Sequence, residues 1–193
     1  MIKCKDSLKQ YLEADKIALC RYTSKPGLGD LIWQFEIALR HTEYYSNINR
    51  SIINNIFLAY WKFKFKILGL ICGFEIPINV FGKGLSIAHK GTIIVNDNAI
   101  IGENCRIHTC VNIGTLPGVG TCAPIIGNNV YIGPGAKIYG PIHIASGIMI
   151  GANAVVGRDF LTQNVCIAGV PAKVISELGR FEVEENNRKK YSK

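Results

Sequence analysis

No C-x-x-C pair occurs among the seven cysteines of this 193-residue chain, and their number is odd. Cys4, Cys20, Cys72, Cys105, Cys110, Cys122 and Cys166 therefore read as reduced, mostly buried thiols, not as a disulfide framework or a zinc ribbon. The opening stretch MIKCKDSLKQYLEADK carries acidic residues and no apolar centre, so it lacks the pattern of a secretory leader and a cytoplasmic protein is expected. Acidic residues are scarce, 14 against 22 Lys and Arg, which leaves a formal charge of +8. Solubility and a basic tail account for such a charge; attraction to phosphate-bearing ligands or to a membrane surface is the alternative. Nucleic acid is not an expected partner. The one apolar run long enough to cross a bilayer, IINNIFLAYWKFKFKILGLICGF (52–74), has Lys62, Lys64 and Lys66 in its middle. Each would cost roughly 3 kcal/mol at a bilayer centre, which excludes a spanning helix and leaves a packed helix or peripheral membrane contact.

What is present divides into two regions of different period. With 48% hydrophobic and 19% charged residues the chain is globular. Residues 1–73 read as helices. Ser7 is placed to cap a first helix through Tyr22, and Asp30 a second, DLIWQFEIALRHTEYY, ended by Asn47 and Asn49. A third runs to about Gly73. His41, on the second helix, is expected at the surface.

From Phe74 aliphatic residues recur every six positions. Val95, Ile101, Ile107 and Ile113 form one series; Ile126, Ile132, Ile138, Ile144, Ile150 and Val156 form another. Four positions after each member of the second series the side chain is small or aliphatic, until the bulky Phe160. Six residues make one short strand and one corner, and three such units close a triangular coil whose guide residues stack inward. The period matches neither 3.6 nor 7, so an amphipathic helix fails. A β-sandwich fails for want of regular hairpin turns. The segment GTLPGVGTCAP interrupts the repeat and should loop out beside a substrate cleft. Phe81, Ile87 and Ile93 keep the six-residue step but slip by two against Val95, and His89 lies at that slip. The expected architecture is α+β: a helical region (1–73), a parallel β-helix (74–175) and a charged C-terminal tail (176–193).

The stretch GLSIAHKGTIIVNDNAIIGENCRIHTCVNIG, with GPGAKIYGPI, IGANAVVGRD and AGVPAKVI after it, resembles the serine acetyltransferase family of hexapeptide-repeat acyltransferases. The resemblance covers about Glu75 to Ile175. It implies a left-handed coil, a homotrimer, and acetyl-CoA as co-substrate without a metal. His89 would be the general base that takes a proton from an acceptor hydroxyl, and Glu75 the carboxylate that steadies it. Backbone around Gly114, Thr115, Gly133, Pro134, Gly151 and Ala152 would meet the pantetheine arm, and Lys173 the phosphates. A carbonic-anhydrase-like zinc site, another use of this fold, needs a close His pair, which His89, His108 and His143 do not offer.

The resemblance breaks at three positions. Family members carry Asp before the catalytic His and an Arg-His pair at the end of the interrupting loop; here Ala88, Cys122 and Ala123 stand there. Those groups hold the charged ends of serine. Their loss makes an uncharged sugar hydroxyl, as in a capsular or exopolysaccharide unit, the expected acceptor, with L-serine of cysteine biosynthesis as the alternative. The ending EENNRKKYSK lacks the terminal Ile that the family inserts into its cysteine-synthase partner, so that complex is not expected.

Overall fold

The computed structural model describes residues 1–118 and 120–191. Val119 of the interrupting loop and residues 192–193 of the tail lie outside the described residues. Three helices open the chain: α1 (Lys5–Ala18), α2 (Leu31–Asn47) and α3 (Ile52–Cys72). α1 begins earlier and ends earlier than its sequence suggests. Cys4 is its cap and Ser7 sits three residues inside, where the Ser7 hydroxyl accepts from the Cys4 N–H at 3.1 Å. Cys20, held at φ 54°, turns the chain away after Leu19. α2 is capped by Asp30 as expected, with Trp33 N–H donating to it at 3.4 Å. α3 starts from Ser51 and stops at Gly73, whose left-handed conformation (φ 79°) carries no Cβ penalty.

From Phe74 the chain winds into a triangular prism with three parallel faces. One face stacks Phe74–Glu75, Ile93–Val95, Val111–Gly114, Lys137–Tyr139 and Val155–Val156. A second stacks Ile100–Ile101, Ile125–Ile126 and His143–Ile144; the third runs from Ser86–Ile87 through Arg106–Ile107, Tyr131–Ile132 and Met149–Ile150 to Cys166–Gly169. Every guide residue of both series is buried. Ile126, Ile132 and Ile138 pair with Ile144, Ile150 and Val156, each eighteen positions on, which is one full coil.

Two departures from that spacing locate the irregular features. Ile113 pairs with Ile138, twenty-five positions on, because the interrupting loop adds seven residues. Ile87 pairs with Ile107 at a separation of twenty, yet Val95 pairs with Ile113 at eighteen. The corner between Ile87 and Val95 is therefore two residues longer than the corner above it.

A prism of stacked coils has two open ends with unpaired backbone groups. At the first end, buried charges of α1 and α2 replace the missing strand. Arg40 donates to Asp15 at 2.7 and 3.3 Å, to Glu43 at 3.0 Å, and to the carbonyls of Phe81 and Gly82 at 2.9 and 2.7 Å. Asp15 accepts from the N–H groups of Gly84 and Leu85, Glu43 from Asn79, and Glu36 from Ile87. At the far end Ala172–Ser176 adds an antiparallel strand to Cys166–Gly169.

The charged C-terminal segment is not wholly irregular. It forms a helix, α4 (Arg180–Tyr191), held by Arg180 N–H to Gly147 O at 3.0 Å. Two expectations need correction. Only Cys72, Cys105 and Cys166 are buried, while Cys4, Cys20, Cys110 and Cys122 are exposed, though all seven are free. His41 is half-buried and not simply at the surface: its ring stacks on Trp61 of α3 at 4.0 Å, and burial lowers its pKa to about 4.

Replacing Arg40 by Met leaves Asp15 and Glu43 as unpaired buried carboxylates. A loss of about 3–5 kcal/mol in unfolding free energy is expected by urea denaturation, and wild-type stability in that variant refutes the capping role. Glu36 has one oxygen without a partner. Burial, reinforced by the Asp15 charge, raises its pKa well above the usual carboxylate range. The unfolded chain gives up this proton near the ordinary value and the folded chain keeps it, so stability falls as pH rises above that value. Glu36→Gln should flatten this decline when urea midpoints are compared between about pH 5 and 8.

Candidate active site

The long corner between Ile87 and Ile93 carries His89, and its shape follows from local constraints. Ala88 N–H donates to Ile107 O at 2.9 Å, so the chain stays in register up to that point. Gly91 N–H then donates to Cys72 O at 2.9 Å and Ile93 N–H to Gly73 O at 3.0 Å, tying the corner to the end of α3. Gly91 holds φ 138°, and a Cβ there would lie 2.6 Å from the Thr109 hydroxyl, so only glycine fits. The two extra residues push outward, and the His89 side chain is exposed.

Beside it stands a group that the sequence reading did not assemble. The His89 and His108 rings lie 5.9 Å apart, and the His108 and Tyr131 rings 5.0 Å apart. Arg106 donates to the Ser86 hydroxyl at 3.1 Å. His108 Nε2 is buried without a hydrogen-bond partner. Burial lowers the His108 pKa, and the charges of Arg106 and His89 lower it further. The missed signal was the separation of twenty between Ile87 and Ile107, which sets Ala88 and His89 against His108.

The residues expected around a cofactor fall on two edges of the prism. Ala88, His108, Gly133 and Gly151 form one column, each N–H donating to the carbonyl of the next coil: Ile107, Ile132, Ile150 and Ile167. Pro134 and Ala152 lie on this edge, and Lys173, exposed, pairs in register with Ala168 at its far end. A Cβ on Gly133 would sit 2.8 Å from Ala152 N, and one on Gly151 2.8 Å from the Ala168 Cβ, so coil stacking alone demands both glycines. The N–H groups of Gly133 and Gly151 are spent on the stack, and Pro134 has none.

Gly114 and Thr115 belong to the other edge. They line a cleft of about 410 Å³ with Glu75, Pro77, Asn96, Asp97 and Asn112. Glu75 is exposed and pairs in register with Ile94, five positions past His89. Among the described residues no hydrogen bond or ion pair joins Glu75 to His89, and no group of His, Cys, Asp and Glu is arranged to hold a metal.

With this geometry in place, similarity to known proteins can be stated. Residues 123–158 match the family model described as bacterial transferase hexapeptide (six repeats). The serine acetyltransferase of Synechococcus elongatus is 37% identical over 112 residues, 57% of this chain and 46% of that protein. That of Helicobacter pylori is 37% identical over 109 residues, 55% of this chain and 63% of that protein. The chain thus spans about half to two thirds of the length of these relatives. A serine acetyltransferase structure from Brucella abortus superposes with a TM-score of 0.69 at 25% identity, covering 91% of this chain and 71% of that one. The same organism's serine acetyltransferase in complex with coenzyme A gives 0.67 at 25% identity, covering 91% and 70%.

The fold is therefore a left-handed β-helix preceded by helices, and residues 123–158 carry the hexapeptide repeat. Over slightly more than half of its length the chain is similar to serine acetyltransferases.

The lowered pKa of His108 gives a direct check. In a histidine NMR titration its ring should protonate below the ordinary value of about 6.5. Arg106→Gln should raise the midpoint part of the way back, since burial remains; an unchanged midpoint would remove Arg106 as a contributor.

Proposed function

We propose that the chain is an O-acetyltransferase that uses acetyl-CoA. The observation that carries this reading is the exposed His89 imidazole on an outward-bulged corner, on the same prism edge as Gly133, Pro134, Gly151, Ala152 and Lys173. A neutral imidazole takes the proton of an acceptor hydroxyl as its oxygen attacks the thioester carbonyl. The tetrahedral intermediate then expels the coenzyme A thiolate, which recovers the proton from His89. No acyl-enzyme and no metal enter this scheme. The pantetheine arm is assigned to the column edge, where Lys173 offers a compact cation toward phosphates.

Glu75 is assigned as the carboxylate that stabilises the imidazolium. Its support is its place in the motif, since it makes no bond to His89 within one chain. The split of the expected ligand residues between two edges favours a homotrimer, in which the His89 edge of one protomer faces the Gly114–Thr115 edge of the next. The cytoplasm, as the compartment of acetyl-CoA, is the proposed site of action.

The named relatives favour L-serine over the sugar hydroxyl that the sequence departures suggested, and serine is the first acceptor in this proposal. Arg106, fixed by Ser86 near the His89 column, is a candidate partner for the serine carboxylate. The sugar reading keeps one specific support: Ala88, Cys122 and Ala123 supply no charge for an amino acid's ends, and Ala123 is buried.

Thiol release from acetyl-CoA, measured with L-serine and with a panel of sugars, separates the two acceptors. His89→Ala is expected to lower turnover at least about 100-fold with whichever acceptor works. Undiminished turnover in that variant would end the assignment of the base.

A further inference from the structure

α3 buries only part of its surface. Leu68, Gly69 and Cys72 are buried, and Trp61 and Phe65 pack against the core, all toward one side. The opposite side is apolar and bare. Ile53, Ile56, Tyr60, Phe63, Ile67 and Leu70 follow one another at steps of three and four residues, one continuous helical stripe. Phe63 is 69% exposed and Leu70 81%. A stripe of this length is too large to be scattered surface apolarity, and marks a docking face.

The charges beside the stripe select its occupant. Lys62, Lys64 and Lys66 are concentrated within five residues of α3, and the helix has no Asp or Glu. Lys62 and Lys66 are exposed; Lys64 leans over the Trp61 ring at 5.4 Å. A second copy of α3 laid on the stripe would bring lysine against lysine with no carboxylate between. An anionic lipid surface offers the opposite charge, accepts an apolar face to shallow depth, and suits Tyr60 at its boundary. No described helix is long and apolar enough to cross a membrane, so the contact is parallel to the surface.

We propose that α3 docks the protein on an anionic bilayer surface through the Ile53–Leu70 stripe and its lysines. This inference stands apart from acetyl transfer, because its readout is binding to lipid.

The test is flotation of the full chain with phosphatidylglycerol-rich vesicles and with pure phosphatidylcholine vesicles. Binding to the first, weakened by salt, and little to the second is expected. Replacing Lys62, Lys64 and Lys66 by Gln should weaken binding about fivefold per lysine. Phe63→Ser with Leu70→Ser should abolish it while circular dichroism retains the helical signal. Absence of wild-type binding to anionic vesicles, or wild-type binding in both variants, overturns the proposal. So does a drop in sedimenting mass in the Phe63/Leu70 variant, which would make the stripe a contact between copies of the chain.

Discussion

The structure depends on how the open first end of the prism is closed. A coil of a β-helix has a partner above it or exposes a row of backbone donors and acceptors. Here Arg40 uses its guanidinium donors on Asp15, Glu43 and two carbonyls of the first coil, and three carboxyl groups, Glu36 among them in its protonated form, receive four N–H groups from that coil. Burying such ions costs several kcal/mol each, and a well-packed apolar plug could be as stable. What these polar groups add is position. Asn79, Phe81, Gly82, Gly84, Leu85 and Ile87 are each held by a directional bond, and the last of these stands two residues before His89.

That cap also explains what the sequence reveals and what it hides. The six-residue series was legible because an inward side chain on every coil must be aliphatic, and the guide residues from Val95 to Val156 are buried as expected. Asp30 and Gly73 were legible as helix boundaries because capping is local chemistry. Asp15, Glu36, Arg40 and Glu43 were not, since charged residues on amphipathic helices ordinarily face water. Their partners are backbone groups 36 to 70 positions away, which no local pattern encodes. Ser7 was misread for a smaller reason: a capping box places hydroxyls at either of two positions, and here the thiol of Cys4 took the outer one.

The candidate site was half legible. His89 was marked by its slip in register, and the pairing of Ile87 with Ile107 shows the two-residue excess behind that slip. His108 was set aside because it forms no close pair with another histidine along the sequence, yet the long corner brings the His89 ring to 5.9 Å from it. Glycines were the weakest indicators. Gly133 and Gly151 are required by stacking whatever the edge binds, so their presence alone says little about a ligand.

The corner that bears His89 also joins the prism to α3. Gly91 donates to the last residue of the helix and Ile93 to its glycine cap, so the helix axis and the corner move as one piece. A rigid join of this kind lets whatever fixes the helix also fix the imidazole. Stacking of His41 on Trp61 and of Phe35 on Phe65 at 5.3 Å holds the same helix from its inner side. With its inner face locked and its outer face apolar, α3 can meet a lipid surface without loosening the coil it leads into.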